Sequence, residues 1–447
     1  MQYVSQGQHS GVANVDMLSI VDLNPSDENC IYSTLLFVMN QAKKLGVGTP
    51  DITFDQQLYI KAVDVAVKAA LDVVIRLGGF HLLMSFLGSI GHMMKGSGLE
   101  EVFGLIFGPN TVQHVLTGKA YARSVRGHFL VHAALNELLL DYLRNSELNE
   151  DCRPSVVCCE SAEDLAGSFS QTLQSDLQVL YEEITTNKVC AIERTLLECE
   201  SLTVVQNLLH QLKLSLKANS CTSRLWLLYM TYVDTVKTFL IAERTSNWLL
   251  HLHAVNSMLN LFAATGHMNY AKSARLYVQQ MSNLSSTHPQ LYEQFLLGNH
   301  TICQSDRYWA GLSLDLVIEQ TMMRSIKSQG CLTRGREMHD TARATWLNTL
   351  RECATLRAAL SDITRSERST LDHVEVGASR KLRDFRDLYK VKDYFKVYSP
   401  FRFDSTDRLV SLSSGVVASS GDCINCDKAD EVGFLIQKNG TIAVTGT

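Results

Sequence analysis

Proline is scarce in this sequence, with six residues among 447, and long stretches carry apolar side chains at helical spacing. Because proline interrupts helices, its scarcity leaves room for long ones. The chain is long enough to bury a large core and to form two or three domains. The pattern predicts a mostly α-helical protein, with helices near residues 30–45, 56–70, 80–95, 98–107, 119–145, 160–217, 222–245, 247–264, 268–284, 310–328, 340–363 and 378–394.

Several kinds of site lack their sequence motifs. The chain has no G-x-x-x-x-G-K-[ST], G-x-G-x-x-G or G-x-S-x-G pattern, so neither a nucleotide cofactor nor an esterase nucleophile is indicated. The most apolar segment, VVIRLGGFHLLMSFLGSIG from Val73, is interrupted by Arg76, His81 and four glycines. It falls short of a membrane span. We therefore expect no nucleotide cofactor and no membrane partner.

The twelve cysteines show no spacing typical of a disulfide framework. Reduced thiols, and hence an intracellular protein, are the expected state. The motif CINC at residues 423–426 has the spacing of half a zinc site, but no second pair follows at a suitable distance. His251 and His253 lie on one predicted helix and are expected to be structural.

The net charge of −5 provides no global attraction to nucleic acid, so a polyanion partner needs a local basic patch. Two segments are candidates: LTRGR, with Arg334 and Arg336, and SRKLRDFRDLYKVKDYF, with Arg380, Lys381 and Arg383. The second segment interleaves basic and aromatic residues, as surfaces that bind a phosphate backbone do. A solvated amphipathic helix that packs its aromatic side chains inward explains the same pattern and is the preferred interpretation.

One region departs from the helical pattern. Two β-prone runs, DITFD from Asp51 and DVVIRLGG from Asp72, flank the helical stretch QQLYIKAVDVAVKAAL. Strand, helix and strand in this order predict a βαβ unit with parallel strands, and MLSIVDL at residues 17–23 is another candidate strand. Functional groups of open α/β sheets gather beyond the carboxyl ends of the strands, where Asp55 lies. Asp55 is therefore a candidate catalytic acid, although a helix N-cap is the commoner use of aspartate at such a position.

Asp315 and Glu319 occupy positions where a predicted helix should present apolar side chains. With Leu312 as the reference and 100° per residue, Glu319 falls about 20° away on the apolar stripe, and Asp315 lies at its edge. A carboxylate there is costly unless it is paired, protonated or bound to a metal. The two acids are either structural acceptors, for nearby arginines or the indole of Trp309, or metal ligands. Together with Asp55 they would suit Mg²⁺ or Mn²⁺ and two-metal phosphoryl transfer.

Several blocks of the sequence resemble a family of transposon-derived proteins that is abundant in invertebrate genomes such as those of corals and molluscs. They include TFDQQLYIKA, RLGGFHLLMSFLGSIG, AERTSNWLLHLHAVNSMLNLFAATGHMNYAKSARLY and SDRYWAGLSLDLVIEQTMMRSIKSQGCLTRGR, and they run from about Pro25 to the end. The resemblance implies an RNase H-like transposase core, a long helical insertion and a Glu-bearing helix that returns to the sheet. It matches Asp55 to the acid of a D-Q motif and Glu319 to the acid of a D-L-x-I-E-Q motif, with Asp315 one turn earlier.

Members of that family carry an upstream segment resembling D-N-V-D-H-N, and nothing before Pro25 matches it. The expectation is a truncated or decayed copy that has lost its first catalytic strand. Its ancestral activity would be metal-dependent DNA cleavage and strand transfer, with DNA as a partner and a nuclear location if that role is kept. The alternative is a non-catalytic helical interaction protein.

The expected fold class is α/β but mostly helical, with a partial RNase H-like core. The predicted organisation has four parts: a core of α/β type at 1–95, an all-α insertion at 96–300, a helical return at 301–398 and a tail rich in Ser and Asp at 399–447.

Overall fold

The computed structural model describes residues 24–144, 200–303, 309–320, 377–401 and 408–419, together with a few isolated positions. The helices are α1 (Glu28–Lys44), α2 (Gln56–Lys68), α3 (Gly79–Met93), α4 (Leu99–Gly104), α5 (Pro109–Leu116), α6 (Tyr121–Arg144), α7 (Glu200–Asn219), α8 (Cys221–Thr245), α9 (Trp248–Ala264), α10 (Met268–Ser282), α11 (Leu284–Thr287), α12 (Pro289–Leu296), α13 (Leu314–Ile318) and α14 (Ala378–Val397). The strands are β1 (Asp51–Phe54), β2 (Val74–Leu77), β3 (Ile302–Cys303) and β4 (Gly311–Leu312). The prediction of a mostly helical chain is confirmed.

The predicted βαβ unit is present. Strand β1 pairs in parallel with β2, with Ile52 opposite Ile75, and α2 connects the two strands. Helix α2 buries Tyr59, Val63 and Ala66 along one face, at the spacing that its sequence predicts. All four residues of β2 are buried, which is typical of a parallel strand covered on both faces.

The core is continuous from the βαβ unit into the helical region. Buried residues of α1, α2 and α3 belong to one cluster with those of α6, α8, α9 and α10. Its largest side chains include Trp226, Tyr229 and Phe239 of α8. By length and composition α8 could cross a membrane, but half of its apolar window is buried inside the protein. Within the described residues the hydrophobic core therefore continues across residue 95, and the division into four parts stays a prediction.

The predicted helix at 310–328 is wrong at its start. Gly311 and Leu312 form β4, which pairs antiparallel with β3 and places Leu312 opposite Ile302. Ser313 is still extended, and α13 begins at Leu314. Leu312 therefore belongs to a strand and cannot define a helical stripe with Glu319, because its backbone pairs with another segment of the chain.

Several predictions fall on residues outside the described part of the chain. They concern the strand at 17–23, helix 160–217 before α7, the end of helix 310–328, most of helix 340–363, and the motif CINC at 423–426.

Helix α3 lies in close backbone contact with the end of α5 at Gly91, where an added Cβ would overlap the backbone carbonyl of Leu116. We expect Gly91→Ala to lower the free energy of unfolding by about 2–3 kcal/mol, because two backbones must separate. Gly104 has open space around its Cβ position, so Gly104→Ala is the matched control and should be neutral or stabilise by up to ~1 kcal/mol. Urea unfolding of both variants checks this. Equal stabilities would contradict the close contact.

Candidate functional site at the carboxyl end of the parallel strands

Two glycines follow β2 and allow α3 to begin directly beyond the sheet. Gly78 is the extended N-cap residue, and Gly79 is the first residue of α3. A Cβ on Gly78 would lie 2.5 Å from Oδ2 of Asp315, and one on Gly79 would lie 3.0 Å from Oγ of Ser313. The glycine pair therefore leaves space for the start of α13. In the sequence, α13 comes more than 200 residues later, after helices α3 to α12.

The carboxylate of Asp315 caps the N-terminus of α3. Its Oδ1 accepts hydrogen bonds from the backbone N–H groups of Phe80 and Leu316, each at 3.1 Å. Its Oδ2 accepts from the backbone N–H of His81 at 3.1 Å and lies 3.1 Å from Nδ1 of the same residue. The positive end of a helix stabilises a carboxylate in this position. Asp315 is thus a structural acceptor, as one interpretation held, but its donors are backbone amides and the ring of His81 rather than Trp309.

The pKa of His81 is affected by the carboxylates around it. The hydrogen bond from its ring to Asp315 raises its pKa against the opposing effect of burial, and the charges of Asp315, Glu319 and Asp55 raise it further. A carboxylate shifts an imidazole in this way only over short distances. Gly78 lies beside both Asp315 and the backbone carbonyl of Phe54, so Asp315 and Asp55 both lie at this edge of the sheet, and Glu319 follows directly after α13.

Asp55 also has a local structural task. It is the N-cap of α2, and its Oδ1 accepts a hydrogen bond from the backbone N–H of Leu58 at 3.1 Å. The N-cap interpretation is confirmed. A capping oxygen leaves the charge of the carboxylate in place, so the assignment of Asp55 as a catalytic acid or metal ligand stays a prediction.

Sequence reasoning did not find Tyr270 of α10, which lies in the same neighbourhood. Burial raises its pKa to about 12, and the charges of Asp55 and Asp315 contribute to the shift. Its ring stacks on Phe262 with the centroids 5.7 Å apart. The phenol therefore stays neutral and can donate a hydrogen bond near the acids. No sequence signal marks it, because its proximity depends on how α10 packs against α2.

A buried polar cluster that contains Glu243, His251, Tyr277 and Ser313 was also not predicted from the sequence. Oε1 of Glu243 lies 2.6 Å from Nδ1 of His251, whose Nε2 lies 3.0 Å from the hydroxyl of Tyr277. Oε2 of Glu243 accepts a hydrogen bond from the hydroxyl of Ser313. Helices α8 and α9 thereby hold the residue from which α13 starts. Glu243 could have been predicted as a buried, paired acid, because it lies in the apolar sequence of α8, as Asp315 lies in an apolar segment.

The charge of Glu243 is kept in this cluster although its side chain is buried. Burial alone would raise its pKa, but the charge and hydrogen bond of His251, followed by the effects of His300 and Ser313, lower the pKa to about 2. Glu243 is thus a paired anion inside the protein, and unpairing it would be costly.

The predicted nucleic-acid residues are placed in part. Arg380, Lys381 and Arg383 are exposed in the first turns of α14. Arg334 and Arg336 lie outside the described residues. The position of the first three residues is compatible with a polyanion partner, and this role stays a prediction.

The interpretation of the basic segment as a helix that packs its aromatic side chains inward holds only for one end. Phe395 is buried against Trp226, with ring centroids 5.5 Å apart. Phe385 and Tyr389 are 58% and 59% exposed, so for them the interpretation is wrong. The inward face of α14 is centred on Asp387, Val391 and Phe395, which leaves both rings on the outer side.

A protein-family model described as a domain of unknown function, DUF8702, matches residues 1–441. The chain belongs to the DUF8702 family. Neither a curated protein nor a solved structure shows detectable similarity to it. The matched range includes the sheet, the helical region, α13 and α14, so every site residue of this DUF8702 protein lies within the family domain.

Of the three acids at the carboxyl edge of the sheet, only Asp55 and Glu319 are candidate metal ligands. Both oxygens of Asp315 are engaged by N–H donors, which does not suit a metal ligand. In the described part of this DUF8702 protein, no group of three or more His, Cys, Asp and Glu side chains is arranged around a common metal position. Asp55 and Glu319 offer the hard carboxylate oxygens that Mg²⁺ and Mn²⁺ prefer, and they come from separate parts of the chain.

Proposed function

We propose that this protein descends from a metal-dependent enzyme that cleaves and transfers DNA strands, and that α1, β1, α2, β2 and α13 belong to an RNase H-like core. The return of α13 to the carboxyl end of the parallel strands is the observation that carries the proposal. His81 and Asp315 are 234 residues apart in sequence, yet they are in direct contact. The resemblance to transposon-derived proteins implies the same order of elements.

Asp55 and Glu319 would hold the divalent cation in this proposal. When bound there, such an ion would neutralise charge on a phosphoryl oxygen. Asp315 holds α13 against the start of α3 and so positions Glu319. Both oxygens of Asp315 accept hydrogen bonds, so Asp315 does not act as a further ligand or catalytic acid. We therefore expect divalent cations to bind without rapid cleavage of a DNA strand.

A second candidate is a non-catalytic helical interaction protein. It is favoured by the observation that Asp55 and Asp315 both serve as helix caps, which accounts for two of the three acids without any ligand. In this case the edge would be purely structural, and divalent cations would not stabilise the protein.

Thermal melts with EDTA and with Mg²⁺ or Mn²⁺ test the proposal. We expect the cations to stabilise the wild type by about 2.7 kcal/mol at a hundredfold excess over Kd. Asp55→Asn and Glu319→Gln should each remove most of this stabilisation. Asparagine caps a helix as well as aspartate, so Asp55→Asn should leave the stability in EDTA nearly unchanged.

Asp64→Asn is the matched control, because Asp64 is an exposed acid of α2 that pairs with Lys68 rather than with the edge. It should keep the full effect of the cations. Asp55→Ala should in addition destabilise the metal-free protein by ~1 kcal/mol through loss of the cap. If only this cap effect is found, with no shift by Mg²⁺ or Mn²⁺ in the wild type, the helical interaction protein is the better account.

A further inference from the structure

The outer side of α14 carries an exposed apolar stripe between basic residues. Leu382, Phe385 and Tyr389 are 58%, 58% and 59% exposed, although large apolar side chains are ordinarily buried. At 100° per residue the three fall within an arc of about 60°. Basic residues border this arc on both sides. We call the α14 face the set of residues Lys381, Leu382, Phe385, Arg386, Tyr389 and Lys390.

The acidic residues of α14 contribute little to that face. Asp384 and Asp387 each lie 2.6 Å from Nη2 of Arg126, on the side of α14 that packs against α6, and Asp387 also pairs with Lys390 of the α14 face at 3.4 Å. Asp393 lies 3.2 Å from Nζ of Lys396. The α14 face is therefore electropositive although the whole chain has a net charge of −5. Charge of this sign attracts a polyanion.

Two ion pairs set the direction of α14. Arg126 near the start of α6 pairs with Asp384 near the start of α14, and Glu137 further along α6 pairs with Lys392 at 2.9 Å. The two helices therefore run parallel. Their N-termini lie at the same end of the molecule.

That end is also where the acids gather. Tyr121, the first residue of α6, contacts the ring of Phe80 with centroids 5.0 Å apart, and Phe80 precedes His81 at the carboxyl end of β2. Five residues of helix, or about 7.5 Å, separate Tyr121 from Arg126. The basic start of α14 thus lies at the same end of the molecule as the proposed cation site.

We propose that the α14 face binds single-stranded DNA. Phosphates contact Lys381, Arg386 and Lys390, and bases stack on Phe385 and Tyr389. Exposed rings among basic groups match an unpaired strand, because the faces of its bases are free for stacking, whereas a duplex keeps them covered. The choice of DNA over RNA rests on the proposed function. The binding itself does not need the cation.

Fluorescence anisotropy of the full chain with a labelled oligothymidine of about 20 nucleotides, in EDTA, tests this proposal. The double variant Phe385→Ala/Tyr389→Ala should raise Kd at least about tenfold, because two stacking platforms are lost. Arg386→Glu/Lys390→Glu should weaken binding and also flatten the dependence of log Kd on log salt. Phe385 and Tyr389 are exposed, so the aromatic variant should melt like the wild type. The charge variant loses the ion pair of Lys390 with Asp387 at 3.4 Å and should melt somewhat lower while remaining folded.

Matched controls come from α1, which carries exposed residues of the same types. Tyr32→Ala/Phe37→Ala removes two exposed aromatic side chains, and Lys43→Glu/Lys44→Glu reverses two charges in the last turn. Both should bind the oligonucleotide like the wild type. An equal loss in the controls would show non-specific electrostatic binding and would overturn the site.

Other ligands distinguish the alternatives. A duplex of the same length should bind at least about tenfold more weakly than the single strand, and polyglutamate of equal charge should compete poorly, because neither offers free bases. Equal binding of the duplex, strong competition by polyglutamate, or tighter binding of oligouridine would each overturn the assignment to single-stranded DNA. Since EDTA is present throughout, failure here and failure of the cation site are separate results.

Discussion

Replacing Glu243 with leucine should lower the free energy of unfolding by about 3–5 kcal/mol, because it leaves buried partners without their acceptor. Glu243 is 5% exposed, and its carboxylate binds both His251 and Ser313. Glu243→Gln keeps the size of the side chain and removes its charge, so it should also destabilise, though less. Urea unfolding at neutral pH measures both.

The control for this change is Glu293→Gln, since Glu293 is exposed on α12 and should have little effect on stability. The pKa of Glu243 is lowered in the folded state, so its contribution is fully present above the unfolded pKa near 4.5 and is lost as the pH falls towards 2. Glu243→Gln should therefore flatten the pH dependence of stability in that window. A loss below ~1 kcal/mol at pH 7 for the leucine variant would contradict the paired buried anion.

Acidification between pH 6.5 and about 3 should destabilise the wild type by several kcal/mol, with His128 as a main contributor. Burial lowers the pKa of His128 to about 3, whereas the unfolded value is 6.5. In this window the unfolded chain binds a proton that the folded protein does not, so stability falls as the pH falls. Each unit of difference in pKa corresponds to ~1.4 kcal/mol.

His128→Gln should reduce this sensitivity, because glutamine cannot be protonated and can still hydrogen-bond to the hydroxyl of Tyr229, which lies 3.0 Å from Nδ1 of His128. The pH dependence will not vanish, since burial also lowers the pKa of His300 to about 3. His253→Gln is the control, because His253 is exposed on α9. Urea midpoints at pH 7, 6, 5 and 4 provide the comparison, and an unchanged slope in His128→Gln would refute the role of His128.

The buried cluster also links the two parts of the chain on which the proposed function depends. Arg76 of β2 forms an ion pair with Asp51 of β1 at 3.0 Å, and its guanidinium lies 4.9 Å from the ring centroid of Phe295. Glu243 of the helical region binds Ser313 directly before α13. The helical region therefore positions α13, and with it Asp315, against the sheet.

Local patterns predicted much of the fold. The βαβ unit and the starts of most described helices lie within two residues of their predictions, because apolar spacing, glycines and capping residues act over a few neighbours. The start of α13 was one exception, and the short helices α5 and α12 lie where no helix was predicted. Leu312 continues an apolar pattern that fits a helix, but its backbone pairs with Ile302, and a periodicity argument does not include that partner.

The sequence by itself determined the helical class, the parallel strands and the position of Asp55 at a strand end, since each depends on residues close together in the chain. Only the tertiary structure decided that Asp315 caps α3, that Glu243 holds Ser313, and that Phe385 and Tyr389 face outward. The physical reason is the same in each case. A carboxylate or a ring has its role set by the groups that surround it, and here those groups come from helices more than fifty residues away in the chain.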